Sequence, residues 1–178
     1  MTGLDNDPFT LLGLPARLDL ASDAIERAYL TRVASAHPDV QSEATTGDAA
    51  TLNRARHTLL DPERRANALL DVLGGPSPSD HNALPDGFLF DIMETREQVE
   101  ADTASDADAA RAKWGAWAES QRAAYLADLT ERFAAPEPDR SAIRAQLNAW
   151  RYIERLIEQL DPDYDPARAD FDGPACDR

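Results

Sequence analysis

Apolar residues recur at helical spacing through most of the chain. Ile25, Tyr29 and Val33 stand four residues apart, and Leu52 and Leu59 mark a similar face further on. This spacing places each set on one side of a helix. The alternation of apolar and polar residues that is typical of strands stands out nowhere, and the pattern therefore predicts an all-α protein.

Proline and glycine residues divide the first half into short helices. Proline is favoured in the first turn of a helix, so Pro8 and Pro62 predict two helix starts. Gly13 can adopt the left-handed conformation that often ends a helix. Pro38 disfavours the helical conformation at His37, so the preceding helix is expected to stop there.

The segment 74–80 predicts a break between two domains. Its sequence, Gly-Gly-Pro-Ser-Pro-Ser-Asp, consists of residues that interrupt helices. We therefore expect a first domain over 5–75, a linker over 76–84 and a second domain over 85–160. The acidic, proline-containing residues 161–178 are expected to form a disordered tail.

The second domain is expected to be an antiparallel bundle of three helices. The first helix is predicted over about 85–102, the second over about 106–134, and the third after a cap at Asp139 or Ser141. The short connections between successive helices favour this arrangement.

Composition and charge narrow the possible functions. The 33 acidic and 18 basic residues give a formal net charge of −15, whereas a phosphate-binding surface needs clustered lysine and arginine. Nucleic acid and anionic membranes are therefore poor partners, and no segment has the length of a bilayer-spanning helix. The first residues do not resemble a signal peptide, so a cytoplasmic protein is expected.

The sequence offers little material for catalysis or for a metal site. Its histidines, His37, His57 and His81, are not spaced with other ligands as a metal requires, and its one cysteine, Cys176, cannot form an intramolecular disulfide. No glycine-rich phosphate loop and no Gly-x-Ser-x-Gly turn occurs. We therefore expect no enzyme, no metal and no cofactor. His57 is expected to be a partly buried helix residue and His81 to lie in the linker.

His37-Pro38-Asp39 is the first stretch that could carry a function. It places an imidazole and a carboxylate close together on a loop between two helices. From spacing alone, a plain turn that ends a helix explains the stretch equally well.

The second such stretch is 88–100, Phe-Leu-Phe-Asp-Ile-Met-Glu-Thr-Arg-Glu-Gln-Val-Glu. On a helix, Phe88, Ile92, Thr95 and Val99 form one stripe, which is wide enough to face a core. Large apolar residues flanked by carboxylates lie beside that stripe and are typical of a contact surface, although two neighbouring helices could equally cover them. These residues are Leu89, Phe90, Met93, Glu94 and Glu97, and Tyr152 on the last helix is expected to be exposed as well.

Taken in order, these features resemble the HscB-type J-domain co-chaperones of iron–sulfur cluster assembly. The stretches similar to HscB in particular are 64–70 and 88–100, and the resemblance covers about residues 5–160. Each motif is short, and their order and spacing together make the match specific. The stretches that resemble a J domain are Asp7-Pro8-Phe9-Thr10-Leu11-Leu12-Gly13-Leu14, Ile25-Glu26-Arg27-Ala28-Tyr29, His37-Pro38-Asp39, Leu52-Asn53-Arg54-Ala55 and Leu59-Leu60-Asp61-Pro62.

The resemblance implies a fold and two sets of contacts. The expected fold is a J domain, which is a helical hairpin with a His-Pro-Asp loop, followed by a three-helix bundle. His37, Pro38 and Asp39, assisted by Arg27 and Arg32, are expected to dock on a DnaK- or HscA-type chaperone ATPase and to stimulate its ATP hydrolysis. The residues expected to bind an IscU-type scaffold are Leu89, Phe90, Met93, Glu94, Glu97 and Tyr152.

The chain departs from this family in its charge. Family members place several lysines or arginines just before the His-Pro-Asp turn, whereas Leu30, Thr31 and Ser35 stand at those positions here. Fewer opposite charges slow association and weaken its salt dependence. The alternative reading is therefore a degenerate J-like adaptor that binds a client or scaffold without stimulating an ATPase.

Overall fold

Four helices form the first half of the chain in the computed structural model, which describes residues 7–35, 44–158 and 160. Helices α1 and α2 both pack against α3, and α4 continues from the end of α3 after one residue. The His37-Pro38-Asp39 stretch lies outside the described residues. The four helices are α1 (Pro8–Leu12), α2 (Ser22–Ser35), α3 (Ala44–Leu60) and α4 (Pro62–Val72).

Three longer helices form the second half: α5 (Phe88–Ser105), α6 (Ala107–Ala134) and α7 (Arg140–Glu158). Helix α6 packs against both α5 and α7, and α4 of the first half packs against α7. The described residues contain no β-strand, so the prediction of an all-α fold is confirmed.

Aspartate side chains begin four of these helices. The Asp7 carboxylate accepts hydrogen bonds from the backbone N–H groups of the first turn of α1, and Asp61 does the same for α4. Asp106 begins α6, and Asp139, rather than Ser141, caps α7. Each aspartate supplies the acceptor that the unpaired N–H groups at a helix start require.

Two predicted helix boundaries are wrong. Helix α5 begins at Phe88 rather than near 85, because Gly87 adopts a left-handed conformation with φ of 79° and interrupts the backbone there. It also extends to Ser105, since the hydroxyl of Thr103 bonds to the carbonyl oxygen of Val99 within the helix and does not break it.

One hydrophobic core joins the two halves. Most of it consists of residues from the first four helices and from the loop between α1 and α2, and the helices α6 and α7 complete it. A second, smaller core of Val99, Ala110, Trp114 and Leu156 lies elsewhere in the bundle. The buried residues of the shared core are Phe9, Leu12, Leu18, Leu20, Ile25, Leu52, Ala55, Leu59, Ala66, Leu69, Leu70, Leu129, Ile143, Leu147 and Trp150.

An ion pair between Arg56 and Glu26 joins α2 to α3. The guanidinium of Arg56 donates two hydrogen bonds to the carboxylate of Glu26, at 2.6 and 2.7 Å, and lies 5.3 Å from the centre of the Tyr29 ring. The hydrogen bond from Arg56 also lowers the pKa of Glu26. An arginine and a carboxylate joined by two hydrogen bonds bind more strongly than a pair joined by one. The contact of the guanidinium with the Tyr29 ring adds further stabilisation.

Replacing Arg56 with methionine is therefore expected to lower the melting temperature by a few degrees, since the side-chain stem stays and only the charged contacts are lost. Circular dichroism during heating measures this change. Arg54 on the same helix is exposed and, among the residues that the structure describes, bonds only to the nearby Thr51 hydroxyl. Arg54→Met is therefore the matched control and should melt like the unsubstituted protein. Equal melting temperatures of the two variants would show that the Arg56–Glu26 ion pair does not stabilise the fold.

Candidate protein-interaction surface

Helix α5 exposes three large apolar side chains on its outer face. Leu89 is 56% exposed, Phe90 74% and Met93 59%, and Tyr152 on α7 is 47% exposed. These four side chains are called the apolar patch below. Neighbouring helices therefore do not cover these residues, which the sequence alone left open.

The inward face of α5 explains why the patch points outward. Val99 is buried in the second core, and Ile92 packs against that core, while Phe88 and Thr95 are half-buried. The predicted stripe of these four residues thus faces the bundle. Leu89, Phe90 and Met93 lie beside this stripe, on the side of α5 that α6 and α7 leave exposed.

An aromatic contact joins α5 to α7 at the patch. The rings of Phe88 and Tyr152 stand edge to face, with their centres 6.1 Å apart and an angle of 71° between their planes. This geometry is favourable for aromatic pairs and holds the exposed Tyr152 ring in place. The sequence stripe assigned Phe88 to the core alone and missed this second role, which a pattern within a single helix cannot reveal.

Carboxylates lie beside the patch along α5. Helix α5 contains five acidic residues and one arginine, Arg96, which pairs with Glu100 at 3.0 Å. Glu94 and Glu97 are exposed and form no ion pair within the part of the chain that the structure describes. An apolar surface with an acidic rim favours a partner with the opposite arrangement, an apolar contact surrounded by basic groups.

The arginines predicted to assist docking on an ATPase lie on α2, and both are exposed. Arg27 donates a 2.6 Å hydrogen bond to the carboxylate of Asp23 one turn earlier, which lowers the pKa of that carboxyl group. Arg32 lies against Gly13, where a Cβ atom would collide with the guanidinium. Leu30, on the outer side of α2, is 62% exposed. The exposed surface of α2 therefore carries Arg27, whose charge is paired with Asp23, and the uncharged side chain of Leu30.

The structure places the other two histidines differently from each other. His57, predicted to be partly buried, is exposed, because it lies about half a turn away from the buried positions Ala55 and Leu59 on α3. His81 is half-buried in the segment between α4 and α5. Within the described ranges, no group of three or more potential ligands could hold a metal ion, and no helix is long and apolar enough to cross a membrane.

A cleft of about 510 Å³ lies between the start of α4 and the helices α6 and α7. Arg122, on α6, bonds to both carboxylate oxygens of Glu154, on α7, at 2.6 and 2.7 Å. Arg151 pairs with Glu158 at 3.1 Å. Burial raises the pKa of Glu63, on the α4 side of the cleft, to about 7, although the Arg151 charge acts in the opposite direction.

The raised pKa of Glu63 predicts a pH-dependent stability. The pKa is about 7 in the folded protein and 4.5 in the reference state, so the folded state holds the proton more tightly between these values. The stability that comes from this more tightly held proton is fully present below pH 4.5 and is lost as the pH rises through 7. Glu63→Gln, which stays neutral, is therefore expected to unfold with a free energy about 1 kcal/mol higher at pH 8 and nearly unchanged at pH 5. Urea unfolding at both pH values measures the difference, and an equal effect at the two would contradict this account.

Comparison with known proteins places these features in one family. Residues 84–161 match the family model described as the HSCB C-terminal oligomerisation domain. The chain is 32% identical over 163 residues to the co-chaperone protein HscB homolog of Bordetella avium, which spans 87% of this chain and 95% of that protein. The HscB homolog of Paraburkholderia xenovorans is 37% identical over 123 residues, or 64% of this chain and 65% of that protein.

Solved structures agree with these sequence matches. The chaperone HscB from Vibrio cholerae superposes with a TM-score of 0.66 and 29% identity, over 86% of this chain and 94% of that one. The human co-chaperone protein HscB superposes with a TM-score of 0.72 and 20% identity, over 89% of this chain and 82% of that one, which supports the fold alone.

The architecture is thus that of a J-domain co-chaperone, with a J domain followed by a helical bundle, and the fold that the resemblance implied is confirmed. The chain belongs to the HscB co-chaperone family.

Proposed function

We propose that this protein brings an IscU-type iron–sulfur scaffold to a DnaK- or HscA-type chaperone ATPase and stimulates ATP hydrolysis by that ATPase. The bundle binds the scaffold, the J domain docks on the ATPase, and the protein itself carries out no chemical step. The domain limits in this proposal are 5–75 for the J domain, 76–84 for the linker and 85–160 for the bundle. A cytoplasmic location is part of the same proposal.

The exposed apolar patch is the observation that carries the proposal. A monomeric protein seldom leaves several large apolar side chains together in water, and covering them contributes about 25 cal/mol per Å² of apolar area. Leu89, Phe90 and Met93 supply the apolar contact, together with Tyr152 on α7. The scaffold is expected to meet the surrounding Glu94 and Glu97 with basic groups. Family membership supports a protein partner for this surface.

The docking of the ATPase is assigned to the stretch His37-Pro38-Asp39, with Arg27 and Arg32 on the preceding helix. The chain contains all three residues of the motif in the order that the J-domain resemblance requires. Arg32 keeps an exposed guanidinium, whereas Arg27 is already bound to Asp23. Binding to the ATPase is therefore expected to depend on the motif itself more than on long-range charge attraction.

A second candidate function is an adaptor that binds the scaffold without stimulating an ATPase. The observation that favours it is the charge of α2. Thr31 and Ser35 use their hydroxyl groups for hydrogen bonds to the backbone of their own helix, at 2.8 Å each, and Leu30 offers no charge. These three positions therefore contribute nothing to electrostatic steering.

A steady-state assay separates the two functions. ATP hydrolysis by the chaperone ATPase of the same organism is measured with increasing amounts of this protein, with and without the scaffold. The proposal expects a dose-dependent rise that the scaffold increases further. Scaffold binding without stimulation at any dose would favour the adaptor, and binding to neither protein would overturn both functions. Copurification from cell extract, followed by mass spectrometry, identifies the two partners independently of any assay.

A further inference from the structure

One carboxylate in the cleft between α4, α6 and α7 has no partner. The side chain of Glu63 is half-buried, yet it forms no hydrogen bond and no ion pair with any residue that the structure describes. An acidic residue in the first turn of a helix is common, because it faces the positive end of the helix dipole, but such a residue usually lies in water. Burying a carboxylate without a partner costs free energy. A cleft that keeps such a group is a candidate binding site.

Other charged groups of the cleft pair with one another. Arg122 bonds to both carboxylate oxygens of Glu154 and donates a further hydrogen bond to Glu119 at 2.6 Å. Arg151 pairs with Glu158 at 3.1 Å. These two arginines are therefore held by other carboxylates, and Glu63 is left without one.

Pairing also separates the charge states of two acidic residues in the cleft. Burial raises the pKa of Glu154, but the hydrogen bonds from Arg122 and from the indole of Trp150 bring it below its usual value. Glu63 lacks such bonds, and its pKa stays raised. Glu154 is therefore a fixed negative charge near neutral pH, whereas Glu63 is able to exchange its proton for another cation.

The lining of the cleft carries more negative than positive charge. With Glu63 ionised, five carboxylates stand against three guanidinium groups. The carboxylates of Asp61, Glu154 and Glu158 add to burial in raising the pKa of Glu63, while Arg151 acts in the opposite direction. The electrostatic potential at Glu63 therefore favours a bound cation. The charged groups that line the cleft with Glu63 are Asp61 and Arg64 on its own helix, Glu119 and Arg122 on α6, and Arg151, Glu154 and Glu158 on α7.

An organic cation suits this cleft better than a metal ion. Magnesium and calcium ions require several oxygen ligands, and the described residues bring no three potential ligands together. The compact ammonium group of an alkyl amine, in contrast, can pair with a single carboxylate. The cleft has the volume of a small-molecule site, about 510 Å³, and Ala123 and Leu126 offer a hydrocarbon chain an apolar wall.

We propose that this cleft binds an aliphatic diamine or polyamine, with one ammonium group paired to Glu63 and the hydrocarbon chain against Ala123 and Leu126. The second ammonium group stays in the mouth of the cleft, where a dication balances the excess of two negative charges. A lysine side chain of a partner protein carries the same ammonium group on the same kind of chain, and the experiment below distinguishes these two sources.

Binding of the amine is expected to strengthen as the pH rises, because the amine and a proton compete for Glu63. The pKa of Glu63 is about 7, so the carboxyl group is about one tenth ionised at pH 6 and about nine tenths ionised at pH 8. Alkyl ammonium groups, with a pKa of about 10, stay charged at both values. The affinity should therefore be about tenfold higher at pH 8 than at pH 6.

A nuclear magnetic resonance titration of the isotope-labelled full chain with cadaverine, at constant ionic strength, tests the site. The backbone signals around the cleft should shift and saturate, with the expected tenfold difference in Kd between the two pH values. Glu63→Gln keeps the shape of the side chain and should raise Kd at pH 8 at least about tenfold and remove the pH dependence. Glu119→Gln removes the same charge from an exposed position in the cleft. It is the matched control, with a change in Kd of about twofold at most and the pH dependence retained.

Ala123→Leu provides an independent decision. Ala123 is exposed, so a larger side chain there narrows the cleft without disturbing the core or changing any charge, and Kd should rise at least about fivefold. Equal losses in Glu63→Gln and Glu119→Gln would show a general attraction of cations to an acidic protein and would overturn the proposal.

A parallel titration with the peptide acetyl-Gly-Lys-Gly-amide identifies the source of the amine. Tighter binding of cadaverine assigns the cleft to a free amine, and tighter binding of the peptide assigns it to a lysine side chain of a partner. If neither produces saturable shifts at pH 8, the proposal is wrong. The titrations contain no ATPase and no scaffold, so their result is independent of the proposed function.

Discussion

Replacing both Leu89 and Phe90 with alanine is expected to abolish detectable scaffold binding. The two side chains are more than half exposed and are not part of either core, so removing them takes contact area from the patch and not from the fold. Truncating an apolar anchor at the centre of an interface costs about 2 kcal/mol, so losing both is expected to raise Kd about 1,000-fold. Isothermal titration calorimetry with the purified scaffold measures the change.

A matched control distinguishes loss of the patch from a general loss of surface hydrophobicity. Leu30→Ala removes an equally exposed leucine from α2, in the other half of the chain, and should leave scaffold affinity unchanged. The melting temperature of the double variant should equal that of the unsubstituted protein. Normal scaffold binding by Leu89→Ala with Phe90→Ala would show that the scaffold binds elsewhere, and unfolding of the variant would assign these residues to the core.

His37→Gln is expected to abolish stimulation of the chaperone ATPase while scaffold binding stays intact. The motif supplies the docking contact in the proposed function, and the preceding helix offers little charge to replace it. The stimulation should fall at least about tenfold, which corresponds to about 1.4 kcal/mol of lost interaction with the activated ATPase. Steady-state hydrolysis at saturating ATP, measured over a range of co-chaperone concentrations, gives both the maximum rate and the concentration needed to reach half of it.

The same substitution at a second histidine controls for this experiment. His57 is exposed on α3, and His57→Gln is expected to stimulate normally. Full stimulation of the ATPase by His37→Gln would show that the motif is not part of the docking site. Attraction between charges makes association strongly dependent on salt concentration. The unsubstituted protein, with little net charge on α2, is therefore expected to stimulate the ATPase weakly and to the same extent at different salt concentrations.

Local rules predicted much of the fold from the sequence. Asp7-Pro8 and Asp61-Pro62 each combine a capping carboxylate with a favoured proline, and the structure begins helices at both. The apolar spacing along α5 separated the inward Val99 from the outward Phe90, because one helical face can pack against neighbours while the opposite face remains in water. These features depend on residues close together in the chain.

Features that depend on distant residues could not be predicted in this way. The sequence indicates that Gly74 and Gly75 interrupt a helix, but it does not show that Arg144, about 70 positions later, binds the segment that follows them. The raised pKa of Glu63 likewise arises from burial against a cleft that α6 and α7 complete. In both cases the deciding neighbours are set by tertiary packing, and the local pattern at those residues is that of an ordinary exposed helix.

The second core has a consequence for how the patch meets a partner. Helix α5 buries only Val99 fully, in a small cluster that is separate from the core shared by the two halves. Segments with few buried apolar contacts open at a lower free energy than the global unfolding of a protein, and such openings occur locally. Helix α5 can therefore loosen and reset its side chains while the J domain and its contact with α7 stay folded. A partner that binds this helix would therefore meet a surface able to adjust to it, while the core shared by the two halves keeps its packing.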